Sequence, residues 1–205
     1  MKKHYALPLF LAAILLVVFA AIAGSGRNSA DVPAAPAIGT VIDDFTLPDA
    51  DGKDHSLKSM MGNAKGAVIL FVATKCPVSN AYNERMEKLY EDYKAKGIVV
   101  IGINANNTEP AAEVKSHATD KGLKFAILKD DGNKIADRLG ATRTPEAYVL
   151  DASMKLVYHG RIDNSQKIEG ITSNDLREAV DELLAGKAIT KTGGAAFGCT
   201  IKRVS

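Results

Sequence analysis

Cysteine is the residue type in this chain best suited to covalent chemistry, and one cysteine lies between a predicted strand and a predicted helix. The apolar, β-branched run Ala67–Ala73 predicts a buried strand, Cys76 follows three residues later, and an amphipathic helix pattern begins at once. A thiol at such a junction meets the unpaired N–H groups and positive end of the helix, which favour the thiolate. Lys75 adds a neighbouring cation, and Pro77 is tolerated in a first helical turn. The pattern predicts a redox or nucleophilic role for Cys76.

Ser79 stands three residues after Cys76. Its residue type predicts a helix cap, and its hydroxyl is a candidate hydrogen-bond donor to the Cys76 thiolate. The structural alternative for Cys76 is a small buried apolar side chain, since free cysteine is often buried.

Cys199 is the second cysteine, and two cysteines are an even, pairable number. Three interpretations are open: Cys199 resolves a mixed disulfide on Cys76, forms a static disulfide that holds the tail, or is an unrelated free thiol. Gly193, Gly194 and Gly198 permit a tail that folds back, which favours the first two interpretations.

The remaining polar residues give weaker signals. Three histidines (His55, His117 and His159) have no ligand spacing, and only one cysteine lies in the motif, so we predict neither a metal site nor a cofactor. Glu146, beside Pro145, is a candidate proton carrier near the surface. With 26 basic and 24 acidic residues and no basic patch, the chain predicts no nucleic-acid partner.

The predicted elements follow the order βαβαβ, then a hairpin and a last helix. Strands are predicted at Asp44–Pro48, Ala67–Ala73, Ile98–Ile103, Phe125–Leu128, Ala147–Leu150 and Leu156–Gly160, and helices at Lys58–Met61, Asn80–Lys96, Glu109–Lys121, Lys134–Leu139 and Asn174–Ala185. This order predicts an α/β fold with a mixed central sheet and helices on both faces.

The amino-terminal segment predicts export. A short basic start precedes the apolar stretch Tyr5–Ala23, which ends in a small-x-small cleavage pattern and is also long enough to span a bilayer. We therefore predict a cleaved signal peptide or an uncleaved membrane anchor at 1–23, a flexible linker at 24–37 and one folded domain at 38–205. Either option places the domain outside the cytoplasmic membrane, in the periplasm or its equivalent, soluble or tethered.

Together these features resemble the thioredoxin fold. The likeness depends on the order of elements, the strand leading to Cys76-Pro77, and Thr144-Pro145 before the hairpin. It implies a three-layer sandwich around the mixed sheet. It also implies that the Thr144-Pro145 peptide bond is cis and that the backbone of Thr144 pairs with an extended substrate beside the reactive cysteine.

Four further stretches resemble one branch of that fold. The opening Ile38–Lys53 is similar to the alkyl hydroperoxide reductase / thiol-specific antioxidant (AhpC/TSA) family, and the run from Cys76 to Ser79, Gly160–Asp163 and Phe197–Arg203 resemble its exported peroxiredoxin-like redoxins. The resemblance covers about residues 38–205.

Two departures from the related families narrow the expected chemistry. Ser79 stands where thioredoxins carry their second cysteine, and Ala73 and Ile69 stand where peroxiredoxins hold the residues that activate peroxide. We therefore expect an exported thiol–disulfide oxidoreductase with Cys76 as the attacking thiolate, acting on protein or small-molecule disulfides and thiols. A thiol peroxidase with relaxed geometry and a non-catalytic peptide-binding module are the alternatives.

Overall fold

The computed structural model describes residues 1–2 and 32–204. The predicted signal or anchor segment and much of the predicted linker therefore lie outside the described residues. Residues 32–37 form no helix or strand, and the backbone of Pro33 and Ala35 lies against Gly140. Within the described part of the chain, no helix is both long enough and apolar enough to cross a membrane.

The elements follow the predicted order. The strands are β1 (Thr46–Pro48), β2 (Asp54–Ser56), β3 (Gly66–Phe71), β4 (Ile98–Asn104), β5 (Ala126–Lys129), β6 (Arg143–Thr144), β7 (Glu146–Asp151), β8 (Leu156–Gly160), β9 (Gly193–Gly194) and β10 (Cys199–Thr200). The helices are α1 (Leu57–Met61), α2 (Pro77–Ala81), α3 (Asn83–Lys94), α4 (Ala111–Asp120), α5 (Lys134–Leu139) and α6 (Asp175–Leu184).

A six-stranded mixed sheet forms the centre of the domain, in the order β5-β4-β3-β7-β8-β9. Strands β3, β4 and β5 are parallel, and β7 runs antiparallel to both β3 and β8. The predicted α/β fold with a mixed sheet is therefore confirmed. Because β3 and β7 are antiparallel neighbours, the carboxyl end of β3 and the start of β7 meet at one edge, where Phe71 pairs with Glu146.

Strand β3 is buried along its whole length because both faces of the sheet are covered. Ile69 and Phe71 point into one core with α1 and α5, whereas Val68 and Leu70 point into the other with α3 and α6. This alternation gives the three-layer arrangement and makes the end of β3 a rigid base for the loop that carries Cys76.

The helix predicted over Asn80–Lys96 is two helices, α2 and α3, separated at Tyr82. Tyr82 is buried and its hydroxyl donates to the carboxylate of Asp163 at 2.8 Å. The break thus accompanies a hydrogen bond across 81 residues of sequence, which a helical hydrophobic period does not encode.

The chain after α6 passes strand β8 and is anchored to the domain both before and after Cys199. Before the cysteine, β9 pairs with β8 and the ring of Phe197 packs edge-on against Tyr82 with centroids 6.2 Å apart. After it, Ile201 is buried in the core and the Arg203 guanidinium binds Asp137 at 2.8 Å. The tail is thus part of the folded domain.

We expect Ile201→Ala to lower the free energy of unfolding by about 2–4 kcal/mol, because it removes buried methylene groups and leaves a cavity beneath the tail. Denaturant unfolding of the oxidised protein measures the change. Val204→Ala is the matched control, since Val204 is 39% exposed and its truncation leaves no cavity. Equal effects of the two substitutions would contradict the role of Ile201 as a tail anchor.

Candidate functional site

Cys76 begins the short helix α2, where the chain leaves the carboxyl end of β3. Its sulfur accepts a hydrogen bond of 3.3 Å from the backbone N–H of Ser79, and its own backbone is extended. Pro77 fills the first helical position, where an N–H would have no intrahelical partner. The sulfur is therefore held at the amino end of a helix by a donor that favours negative charge.

Ser79 contacts the Cys76 sulfur through its backbone N–H. Its hydroxyl makes a different hydrogen bond from the one that the sequence predicts. Cys76 itself caps α2, and the buried Ser79 hydroxyl accepts a hydrogen bond of 3.1 Å from the N–H of Ala73. The hydroxyl is thus used to bind the loop after β3 to the helix. The expected hydrogen bond from this hydroxyl to the Cys76 sulfur is not present; the sulfur accepts from the backbone N–H of Ser79 instead.

Lys75 gives the sulfur less electrostatic support than the sequence predicts. Its ammonium group lies 2.9 Å from the Glu113 carboxylate and donates to the Thr108 carbonyl at 2.7 Å. The Lys75 pair and a hydrogen bond from Thr74 lower the pKa of the Glu113 carboxyl, so this carboxyl is ionised at neutral pH. The negative charge of Glu113 offsets the positive charge beside Cys76.

Cys199 forms a disulfide with Cys76, with the two Cα atoms 5.8 Å apart. The interpretation of Cys199 as an unrelated free thiol is therefore wrong for this structure, and the resolving and static interpretations are both compatible with it. The carbonyl oxygen of Thr144 lies 3.4 Å from the Cys76 sulfur, within reach of a thiol proton in the reduced protein. Cys76 is 4% exposed, whereas Cys199 is half-buried.

The backbone groove at Thr144 is occupied by the chain's own tail. The Thr144-Pro145 bond is cis, as the resemblance implies, and Cys199 pairs antiparallel with Thr144 in the two-residue ladder of β10 and β6. Gly198 permits this approach, because a Cβ there would overlap the Thr144 carbonyl and its φ of +148° disfavours other residues. The tail thus takes the place that the resemblance assigns to an extended substrate.

Glu109 is a site residue that the sequence analysis missed. It is buried, and its carboxylate accepts hydrogen bonds from the N–H groups of Thr74 (2.8 Å) and Lys75 (3.0 Å) and from the Asn104 amide (2.6 Å). Burial alone would raise the pKa of Glu109, but these hydrogen bonds outweigh it and lower the pKa. The sequence signal for Glu109 was its position shortly after β4. Because β3 and β4 are parallel neighbours, the residues that follow them lie at the same edge of the sheet.

Glu146 is buried, and the prediction of a carboxyl group near the surface is wrong. Its oxygens accept hydrogen bonds from the N–H groups of Thr142 and Arg143, both at 2.8 Å, and from His159 Nε2 at 2.6 Å. Burial raises the pKa of Glu146, but the hydrogen bonds from His159 and the backbone have the larger, opposite effect. The pKa is therefore below its usual value. Glu146 therefore anchors the loop before Pro145 as a carboxylate.

The three histidines in the described part of the chain each have a carboxylate or amide partner. His159 binds Glu146, His55 binds Asp49 at 2.8 Å, and His117 binds Asn80 at 2.7 Å. Among residues 1–2 and 32–204, no group of three or more His, Cys, Asp or Glu side chains is arranged to hold a metal ion.

The fold and the Cys76–Cys199 pair define a redox protein of the thioredoxin class. The chain belongs to the AhpC/TSA family, which matches residues 38–159. Its curated relatives include the thiol-disulfide oxidoreductase ResA of Bacillus thuringiensis, 33% identical over 120 residues that make up 58% of this chain and 67% of that protein. ResA of Geobacillus kaustophilus is 31% identical over 152 residues, covering 74% of this chain and 84% of that protein. These relatives support an oxidoreductase activity.

Two solved structures show the same fold at comparable identity. A hypothetical protein from Sinorhizobium meliloti has a TM-score of 0.78 at 32% identity, covering 83% of this chain and 97% of that one. An uncharacterized conserved protein from Geobacillus kaustophilus has a TM-score of 0.75 at 30% identity, covering 81% and 92%. More distant likenesses include a putative thioredoxin from Neisseria meningitidis, at 20% identity and a TM-score of 0.57, which supports the thioredoxin fold alone.

We expect Glu146→Gln to lower the free energy of unfolding at pH 7 by about 1–3 kcal/mol, because a neutral amide binds the loop and His159 less well. A folded pKa below 4.5 means that the carboxylate's contribution is present above pH 4.5 and disappears as the pH falls through the lowered pKa. The stability gap between wild type and variant should therefore narrow below pH 4.5 in denaturant titrations. The exposed Glu169→Gln is the control, and a gap that stays constant with pH would contradict the assignment.

Proposed function

We propose that this protein is an exported thiol–disulfide oxidoreductase in which Cys76 is the attacking thiolate and Cys199 the resolving thiol. The observation that carries this proposal is the sulfur pair at the amino end of α2, with the Ser79 N–H bound to the Cys76 sulfur. That N–H stabilises a thiolate on Cys76 in particular, which separates the roles of the two cysteines.

In the first step, the reduced protein attacks a substrate disulfide. The Cys76 thiolate forms a bond to one substrate sulfur, the substrate S–S bond breaks, and the second substrate sulfur leaves as a thiolate. The product is a mixed disulfide on Cys76. No electrons have been lost at this point, because a thiolate has exchanged with a disulfide.

In the second step, Cys199 completes the transfer. Ser79 has no sulfur to resolve the mixed disulfide, whereas Cys199 is held across from Thr144 at bonding distance from Cys76. The Cys199 thiolate attacks the Cys76 sulfur, and the substrate sulfur leaves as a second thiolate. The substrate disulfide is reduced by two electrons, and the protein is left with the Cys76–Cys199 disulfide that the structure contains.

The substrates that fit this site are disulfides and thiols. Two of the curated relatives are named thiol-disulfide oxidoreductases, which supports this class for the present chain. An extended polypeptide substrate can pair with Thr144 only when β10 separates from β6, since the two strands use the same backbone groups. A small disulfide needs no such separation.

We expect Cys76→Ser to abolish the reduction of insulin and of small disulfides, because the attacking thiolate is removed. Cys199→Ser should retain the first attack and accumulate mixed disulfides on Cys76, which mass spectrometry under non-reducing conditions detects. Thr200→Ser is the control for changes in β10 that leave both sulfurs in place. Full turnover by Cys199→Ser with no mixed disulfide would show that Cys199 does not resolve.

The same preparations separate this proposal from a thiol peroxidase. Ile69 is buried in the core of the sheet, and Ala73 presents no hydroxyl, so neither residue can activate a peroxide. We expect peroxide consumption by the wild-type protein to be slow beside its disulfide reduction. Fast peroxide consumption without disulfide reduction would replace the proposed function with a peroxidase.

Export is the part of the proposal that depends on residues 1–23. The basic start, the apolar stretch and the small-x-small pattern support a signal peptide or an anchor. We expect the protein in its host to be extracytoplasmic, and amino-terminal sequencing should distinguish cleavage after Ala23 from an intact anchor. Recovery of the intact chain from the cytosol would contradict both options.

A further inference from the structure

A cavity of about 250 Å³ lies beside the Cys76–Cys199 pair. It lies between the loop after β4 and the tail, and its lining includes Lys75, Cys76, Glu109, Cys199 and Lys202. Pockets for drug-sized ligands span roughly 300–1,000 Å³, so this cavity fits a smaller molecule. It is an opening to the disulfide that does not require β10 to move.

The exposed charge beside the cavity is positive. Glu109 is an anion, but it is buried and its oxygens face N–H donors, and the ammonium of Lys75 is paired with Glu113. Lys202 is exposed and, within residues 32–204, its ammonium has no carboxylate partner, while its backbone N–H binds Asn106. The charge left to meet a ligand is therefore that of Lys202.

A second cation lies near Cys199. The exposed guanidinium of Arg143 donates to the Gly198 carbonyl at 3.4 Å and to the Thr200 hydroxyl at 3.0 Å. In the described part of the chain it too has no carboxylate partner. Arg143 and Lys202 together give the surroundings of Cys199 a positive potential, which attracts small anions and concentrates them at the disulfide.

The two sulfurs differ as targets for an incoming thiolate. Cys76 is almost fully buried, whereas Cys199 is half-buried, and Arg143 binds the residues on either side of it. If Cys199 is attacked, the sulfur that leaves is Cys76, and the Ser79 N–H already bound to it stabilises the departing thiolate. Exposure and leaving-group stability thus both favour attack on Cys199.

We propose that this cavity is the entry site for a low-molecular-weight thiol that bears a carboxylate, and that this thiol regenerates the reduced protein; the proposal rests on the proposed function. The thiolate attacks the Cys199 sulfur, the Cys76–Cys199 bond breaks, and Cys76 leaves as a thiolate. A second molecule of the thiol then attacks the first at sulfur and frees Cys199. Two thiols are oxidised to one disulfide, and the protein disulfide is reduced by the same two electrons.

The test compares three small thiols on the oxidised protein: 3-mercaptopropionate (anionic), 2-mercaptoethanol (neutral) and cysteamine (cationic). For each thiol, the rate of opening of the protein disulfide is measured on wild type and on Lys202→Gln at low ionic strength. The ratio of the two rates cancels the intrinsic reactivity of the thiol. Lys155→Gln makes the same charge change in the turn between β7 and β8, at the opposite end of the sheet.

We expect the wild-type to Lys202→Gln ratio to be about threefold for the anionic thiol, near one for the neutral thiol and below one for the cationic thiol. The threefold ratio should shrink in high salt, because the charge is exposed. The neutral thiol also reports whether Lys202→Gln has disturbed the fold. A ratio that is the same for all three thiols, or that Lys155→Gln reproduces, would overturn the proposal.

Peptide mapping of acid-quenched samples gives an independent readout. The first adduct of 3-mercaptopropionate should be on Cys199, and an adduct on Cys76 would overturn the assigned direction of attack. Turnover with a substrate disulfide, driven by dithiothreitol in the wild-type protein, tests the proposed function separately. Turnover with dithiothreitol but no opening by any monothiol overturns the entry site alone, whereas thiol-dependent opening without substrate turnover counts against the proposed function.

Discussion

The backbone pairing between Cys199 and Thr144 is the constraint on which the disulfide site depends. It joins a tail element to the loop before Pro145 and sets the second sulfur against the helix that begins at Cys76. The tail stays in place because Ile201 is buried on one side of the cysteine and β9 is paired on the other. A thiol pair that thioredoxins build within one helical turn is here assembled from two distant parts of the chain.

Two buried carboxylates hold the loops that carry this pair. Glu109 binds the N–H groups of Thr74 and Lys75 just before Cys76, and Glu146 binds those of Thr142 and Arg143 just before Thr144. Both have pKa values below the usual range despite burial, because each carboxylate is saturated with N–H donors. Both carboxylates therefore act on the site indirectly, by holding the backbone of the two loops in place.

The sequence allowed the fold to be predicted and made Cys76 the candidate reactive cysteine, because both inferences depend on local patterns. The apolar run of β3 and the periodic face of α3 lie in continuous segments, and Cys76 stands between them. The roles of Ser79, Glu109 and Glu146 were missed or misjudged, since each depends on a partner brought close only by the tertiary fold. The break at Tyr82 has the same origin, a hydrogen bond to Asp163. The pairing of Cys199 was one of three alternatives until the tail was placed.

The sequence separation of the two cysteines, 123 residues, couples the redox state of the protein to its folding equilibrium. In the chain-entropy view, a disulfide that closes a loop of this length stabilises the folded state by about 5 kcal/mol, mainly by restricting the unfolded chain. Thermodynamic reciprocity requires that folding favour the disulfide by the same amount. A cysteine pair within one helical turn closes a short loop and carries little of this coupling. The disulfide here also fastens the last residues to the core, so its formation or reduction changes the global stability of the domain.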